Sequence, residues 1–209
     1  MKLLHFSGIN KPFVFILPDK HGSPEIELKK LNFLAGLGCK DVFLEGVVKN
    51  SDFRSGEIFL SRNLLEAGFN VLPIEDEKLQ NLSILALDIF YILAFKFHNL
   101  FMTLDCFEED MAVNVKFLSL HESMDELVRL AKVNFNYDFD LTDLNPTKAE
   151  FLLHDYANKV LNDLLLDKRN DAFVRNLQDF SFRSCALVVG KEHVNDLKNK
   201  LASYNLLTL

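Results

Sequence analysis

The sequence predicts an α/β fold with a parallel or mostly parallel central sheet, flanking helices and a helical insertion in the middle of the chain. Three observations carry this. Short β-branched and aromatic runs (PFVFIL, DVFLE, FNVLPIED and CALVVG) read as buried strands. The first three are separated by helical patterns, which implies crossovers between parallel neighbours. From about residue 77 to 139 the chain keeps a helical period with few breakers. With 209 residues and 49% hydrophobic content it suits one domain, 1–209, with the insertion at about 77–145.

The elements follow in order. The strand 12–17 stops at Pro18; Ser23 can then cap a helix with Pro24 in its first position and Glu25 and Glu27 at its positive end. That helix runs to Leu37, where Gly36 and Gly38 stop it. Asp41 to Glu45 is a short buried strand, Phe59 to Gly68 a helix, and Phe69 to Asp76 a strand interrupted by Pro73. In the middle, Val115 to Leu120 is open to a strand reading, and Asn136 to Pro146 is a loop. Thr147 and Glu150 form a capping box for a helix through Leu166, followed by a helical stretch from Asp167 to Asp179. Cys185 to Gly190 is the last strand, and Asn195 can cap the final helix.

Several function classes are disfavoured. A net charge of −7 and a pI near 5.4 leave no electrostatic footprint for nucleic acid. Cys39, Cys106 and Cys185 are odd in number and far apart, so neither a disulfide framework nor a thiolate zinc site is expected, and a reducing, cytoplasmic location is. The apolar stretch at the N-terminus is too short for a signal peptide. Leu82 to Leu104 is long enough to span a bilayer, yet it carries Asp88 and Lys96, each costing about 2.5–3.5 kcal/mol near the centre of a span. A buried helix with a narrow polar face is the expectation. No phosphate-binding glycine loop and no G-x-S-x-G elbow occurs.

The strands converge on one edge. Asp19 and His21 follow the first strand, Glu45 closes the second, Glu75 and Asp76 close the third, and His193 follows CALVVG. In a parallel sheet all six lie at the carboxyl ends, where ligands bind. Any one of these groups by itself reads as a helix cap or a solvated loop residue; their convergence makes the case. Such a set can hold a divalent ion, with zinc, manganese or iron all suited to imidazole and carboxylate. Alternatively, a carboxylate can orient an imidazole that acts as general base. Arg169, beside Asn170, is a candidate clamp for an oxyanion or carboxylate.

The order LPDKHGSPE, VFLEG, VLPIED, DKRNDAFVRNL and ALVVGKEHV resembles the TraB/Tiki and erythromycin esterase-like superfamily, the EreA/ChaN-like fold. The resemblance covers about 12–76 and 160–206 and is best at the closing G-x-x-H element. It implies hydrolytic activity on a small-molecule or peptide substrate, metal-dependent as in Tiki proteins or His-based as in erythromycin esterases. Carried over by position, Asp19, His21, Glu45, Arg169 and His193 would be catalytic, Asn170 and Gly190 substrate-binding, and His21, Glu45, Glu75 and His193 metal ligands. Pro18 and the shorter Asp19 depart from the first motif. The alternative is a non-catalytic protein of the same fold that binds a ligand or a partner.

Overall fold

In the first strand, β1 (Phe13–Asp19), successive side chains go to opposite sides: Val14 and Ile16 join one buried apolar cluster, Phe15 and Leu17 another. The same alternation runs through β4 (Ser184–Gly190), where Cys185, Leu187 and Val189 face one way and Ala186 and Val188 the other. A sheet buried on both faces needs a helical layer on each. The computed structural model, which describes residues 11–19, 24–48, 59–101 and 115–208, supplies both layers. Leu34 of α1 (Pro24–Leu37) and Leu64 of α2 (Phe59–Glu66) pack on one face. Phe173 and Leu177 of α6 (Asp167–Gln178) and Leu197 of α7 (Val194–Lys200) pack on the other.

The sheet has five parallel strands in the order β3-β2-β4-β1-β5, with β2 at Asp41–Val48, β3 at Asn70–Glu75 and β5 at Asn205–Thr208. This is the α/β fold that the strand pattern implied. Pro73 sits on an edge strand and Pro18 lies beyond the last residue paired with β5, so neither missing N–H breaks a ladder on that side. β2 runs three residues past the expected Glu45, with a register shift between Leu44 and Val48. Gly46 makes this feasible at φ 82°, a conformation that a side chain would strain. β5 was not foreseen, because NLLT is too short to announce a strand without a neighbour to pair with.

Two compact units emerge: Met1–Glu77 with Arg169–Leu209, which holds the sheet, and Lys78–Lys168, which is helical. The helical unit contains α3 (Glu77–Phe101), α4 (Met124–Phe135), α5 (Pro146–Tyr156) and a π-helical stretch, Ala157–Leu166, that continues α5 into α6. Its far end therefore lies beyond residue 145, the end expected for the insertion. Asn145, rather than Thr147, caps α5: its side chain accepts from the Lys148 N–H at 3.1 Å, because Pro146 fits the first helical position.

Among the described residues α3 is the one helix long and apolar enough to cross a membrane, and 39% of its most apolar window is buried. Its polar residues have local work. Asp88, 1% exposed, accepts from the backbone N–H groups of Lys116, Phe117 and Leu118 at 3.1, 2.6 and 3.1 Å, and Lys96 donates to the Leu120 carbonyl at 3.3 Å. Residues 115–120 are consequently irregular rather than a strand, with donors spent on a carboxylate instead of a ladder.

Removing that acceptor leaves these donors stranded. Asp88→Ala is expected to lower unfolding stability by about 2–4 kcal/mol and Asp88→Asn by roughly half as much. Urea denaturation checks this; an unchanged midpoint for Asp88→Ala contradicts it.

Candidate functional site

From β2 the chain proceeds outwards to β3, and from the adjacent β4 it proceeds the opposite way, through α7, to β5. Adjacent parallel strands whose onward connections diverge leave a crevice at their carboxyl ends, which is where α/β sheets bind ligands. Glu45 of β2 and Gly190 of β4 meet there. The Gly190 N–H donates to Glu45 Oε2 at 2.5 Å.

Five more polar side chains complete the cluster. Arg169, in the first turn of α6, donates through Nη2 to Glu45 Oε1 at 2.7 Å and also to Glu75 Oε1. The Gly46 N–H, turned by the bulge, reaches the same Glu75 oxygen at 3.4 Å. His193, fully buried just before α7, places Nε2 at 3.2 Å from Glu45 Oε1. Its Nδ1 lies 2.6 Å from Asn170 Oδ1, and Asn170 Nδ2 donates to Asp196 Oδ2 at 2.8 Å. Phe173 supports both neighbours, with its ring 5.0 Å from the imidazole and 5.6 Å from the Arg169 guanidinium carbon.

The hydrogen bonds assign the tautomer. A carboxylate only accepts, so Asp196 turns the Asn170 amide nitrogen towards itself and leaves the amide oxygen for the ring. Nδ1 must then carry a hydrogen. The neutral ring has its lone pair on Nε2, directed into the site, and Nε2 has no hydrogen-bond partner among the described residues. Glu75 Oε2 and Arg169 Nε are also buried without one. Charge points the same way. Glu45 and Glu75 are both shielded from solvent, and one guanidinium stands between them, so a further positive charge balances the cluster. A proton on Nε2 or a bound cation would provide it. Burial raises the Glu45 pKa, but a His193 ring carrying the Nε2 proton, which hydrogen-bonds and attracts the carboxylate, outweighs it together with Arg169 and the Gly190 N–H and brings it from 4.5 down to about 2.

One group of ligand atoms converges within 4.8 Å among the described residues: Glu45, Glu192 and His193. Gly190 makes the room, since a Cβ there would stand 2.4 Å from Glu192 Oε1.

Of the residues picked from sequence, Glu45, Glu75, Arg169, Asn170, Gly190 and His193 come together. Asn170 and Arg169 do so as holders of the ring and the carboxylates. Asp19 ends β1 in register with Gly190, with only its backbone described, while His21 and the expected cap Ser23 lie outside the described residues. Asn195 is not the cap of the last helix. That place belongs to His193, which makes no capping bond because its Nδ1 is committed to Asn170. Glu192 and Asp196 were missed: both read as solvated charges, and the only signals were adjacency to His193 and a three-residue step along α7. Comparison with known protein families, with curated proteins and with solved structures found no match.

Because its pKa is depressed in the fold, the contribution of Glu45 is complete above about pH 4.5 and is lost as pH falls towards 2, on the order of 3 kcal/mol in all. In pH-dependent urea unfolding, the stability gap between wild type and Glu45→Gln should narrow steadily below pH 4.5. A gap independent of pH contradicts this. Asn170→Ala, which frees the ring, should lower stability by about 1–3 kcal/mol in the same measurement at pH 7, whereas Asp196→Asn should cost less.

Proposed function

We propose that the protein is a hydrolase of the TraB/Tiki and erythromycin esterase-like type, acting on a small-molecule or peptide substrate with a divalent cation (zinc, manganese or iron) held by Glu45, Glu192 and His193. One observation carries this reading: the buried, unpartnered Nε2 of His193, its lone pair set towards Glu45 by the Asn170–Asp196 relay. One imidazole and two carboxylates are a donor set that such ions accept. When bound, the cation supplies a Lewis acid for the scissile carbonyl and acidifies water. The full burial of His193 favours the ligand role over that of a general base touching substrate.

The chain's own residues do the rest. Asn170 and Asp196 hold the ring in the ligating tautomer. Arg169 orients Glu45 and Glu75 and helps to hold the Glu45 carboxyl below its usual range, while Gly190 lets the exposed Glu192 fold back over the strand end. The superfamily resemblance is supported by position, since Glu45, Arg169 and His193, which it picks out from distant parts of the chain, lie in direct contact. Cys39 and Cys185, both free and buried, fit a reducing, cytoplasmic setting.

Elemental analysis of purified protein after incubation with zinc, manganese or iron tests the reading. About one equivalent is expected in wild type, with affinity at least about tenfold weaker in Glu192→Gln and in His193→Ala. Ester, lactone and peptide probes then report turnover, which should fall with the metal. No metal in wild type overturns the proposal, and metal without turnover favours the ligand-binding alternative.

A further inference from the structure

The chain of contacts that holds His193 does not end at Asp196. One turn further along α7, Lys200 places Nζ 3.5 Å from Asp196 Oδ2, the oxygen that accepts from Asn170 Nδ2 at 2.8 Å. The same ammonium donates to Asp171 Oδ1 at 2.5 Å. Asn170 and Asp171 are consecutive in α6, so two residues of one helix are held by two residues on one face of the next.

What this arrangement fixes is an amide that can present either end to the imidazole. With its nitrogen on Asp196, Asn170 offers its oxygen to the Nδ1 hydrogen, and the lone pair of the neutral ring falls on Nε2. Turned end for end, the amide would donate to Nδ1. The ring hydrogen would then sit on Nε2, with Glu45 Oε1 at 3.2 Å to accept it, and that nitrogen could no longer ligate a cation. Two carboxylates therefore compete over one imidazole: Glu45 favours the hydrogen on Nε2, Asp196 favours it on Nδ1. They are not equally anchored. The Glu45 side chain is 12% exposed and fixed by Arg169 and the Gly190 N–H. The Asp196 side chain is 38% exposed, where water competes for its oxygens, and Lys200 is the cation set against it.

We infer that Lys200 is a positioning residue of this site: by holding the Asp196 carboxylate towards Asn170, it keeps the amide in one orientation and the His193 lone pair on Nε2. As a statement about metal binding this rests on the hydrolase reading. As a statement about the tautomer it stands apart, and the experiment separates the two.

The test is long-range ¹H–¹⁵N correlation NMR of the full chain, metal-free, at a pH above which the ring ¹⁵N shifts no longer change. The spectra report which nitrogen of His193 lacks a hydrogen, and His193→Gln identifies its signals among the six histidines. In wild type Nε2 is expected to be the bare nitrogen. Lys200→Met should raise the ratio of the Nε2–H to the Nδ1–H tautomer about threefold, the size of effect a partly exposed ion pair supplies. Zinc affinity should fall in the same variant by no more than that factor. Lys200→Arg, which keeps charge and reach, should restore the wild-type ratio, and Asp171→Asn, which leaves Lys200 to Asp196 alone, should not lower the Nδ1–H share. An unchanged ratio in Lys200→Met overturns the inference even if its urea midpoint falls, because an ordinary ion pair would lower stability without moving the tautomer. A wild-type ring with its hydrogen on Nε2, or a ratio that Lys200→Arg fails to restore, overturns it as well. The expected ratios in a protein that takes up no metal would support the role of Lys200 while refuting the metal-dependent hydrolase.

Discussion

The carboxylate of Glu45 accepts from the Gly190 N–H on one oxygen and from Arg169 on the other, and so joins β2, β4 and α6 at one point. Much else depends on that junction. Arg169 is drawn under the strand ends, and Glu75 is buried with it. His193, the next residue of the cluster, places Nε2 at 3.2 Å from Glu45 Oε1, with no hydrogen-bond partner among the described residues. A charge cluster of this kind contributes little net stability once desolvation is counted, because the ions lose water before they gain each other.

The geometry also explains why the cluster can form without breaking the sheet. Ion pairs inside the ladder would compete with backbone bonds. Here the acids arrive as the strands end: Glu45 enters a register shift that Gly46 permits, and Glu75 is the last residue of an edge strand. Glycine serves again at position 190, where the missing side chain admits the Glu192 carboxylate.

The helical unit solves a related problem with one residue. Asp88 lies in the most apolar helix of the protein, and its charge is met by backbone N–H groups rather than by a cation. Those donors come from an irregular segment that would otherwise have to find partners in a strand or helix of its own. The carboxylate and the segment satisfy each other, and Lys96 binds a carbonyl two residues further along. A helix that reads as a membrane span by composition is in this way tied into a polar contact along its length.

Strand positions, the helical middle and the carboxyl-edge location of Glu45, Glu75 and His193 were legible in the sequence, and Arg169 was a candidate clamp without a place. Periodicity and Pro/Gly punctuation are local properties, and a parallel sheet must bring its strand ends to one side. The local code was weaker where neighbours decide. β5 exists because β1 offers it a ladder, α5 starts two residues early because Pro146 suits its first turn, and Val115 to Leu120 stays irregular because Asp88 takes its donors. The partners of each site residue were beyond the sequence for the same reason. Asn170 as the holder of the imidazole, Asp196 behind it, Glu192 folded over Gly190 and Arg169 shared by two carboxylates are contacts between residues up to 124 positions apart. The sequence alone determined that Glu45, Glu75 and His193 reach one edge of the sheet, through local pattern and topology. Only the tertiary structure decided which of them touch, because distance and hydrogen-bond direction between remote segments depend on the packed sheet and its helices.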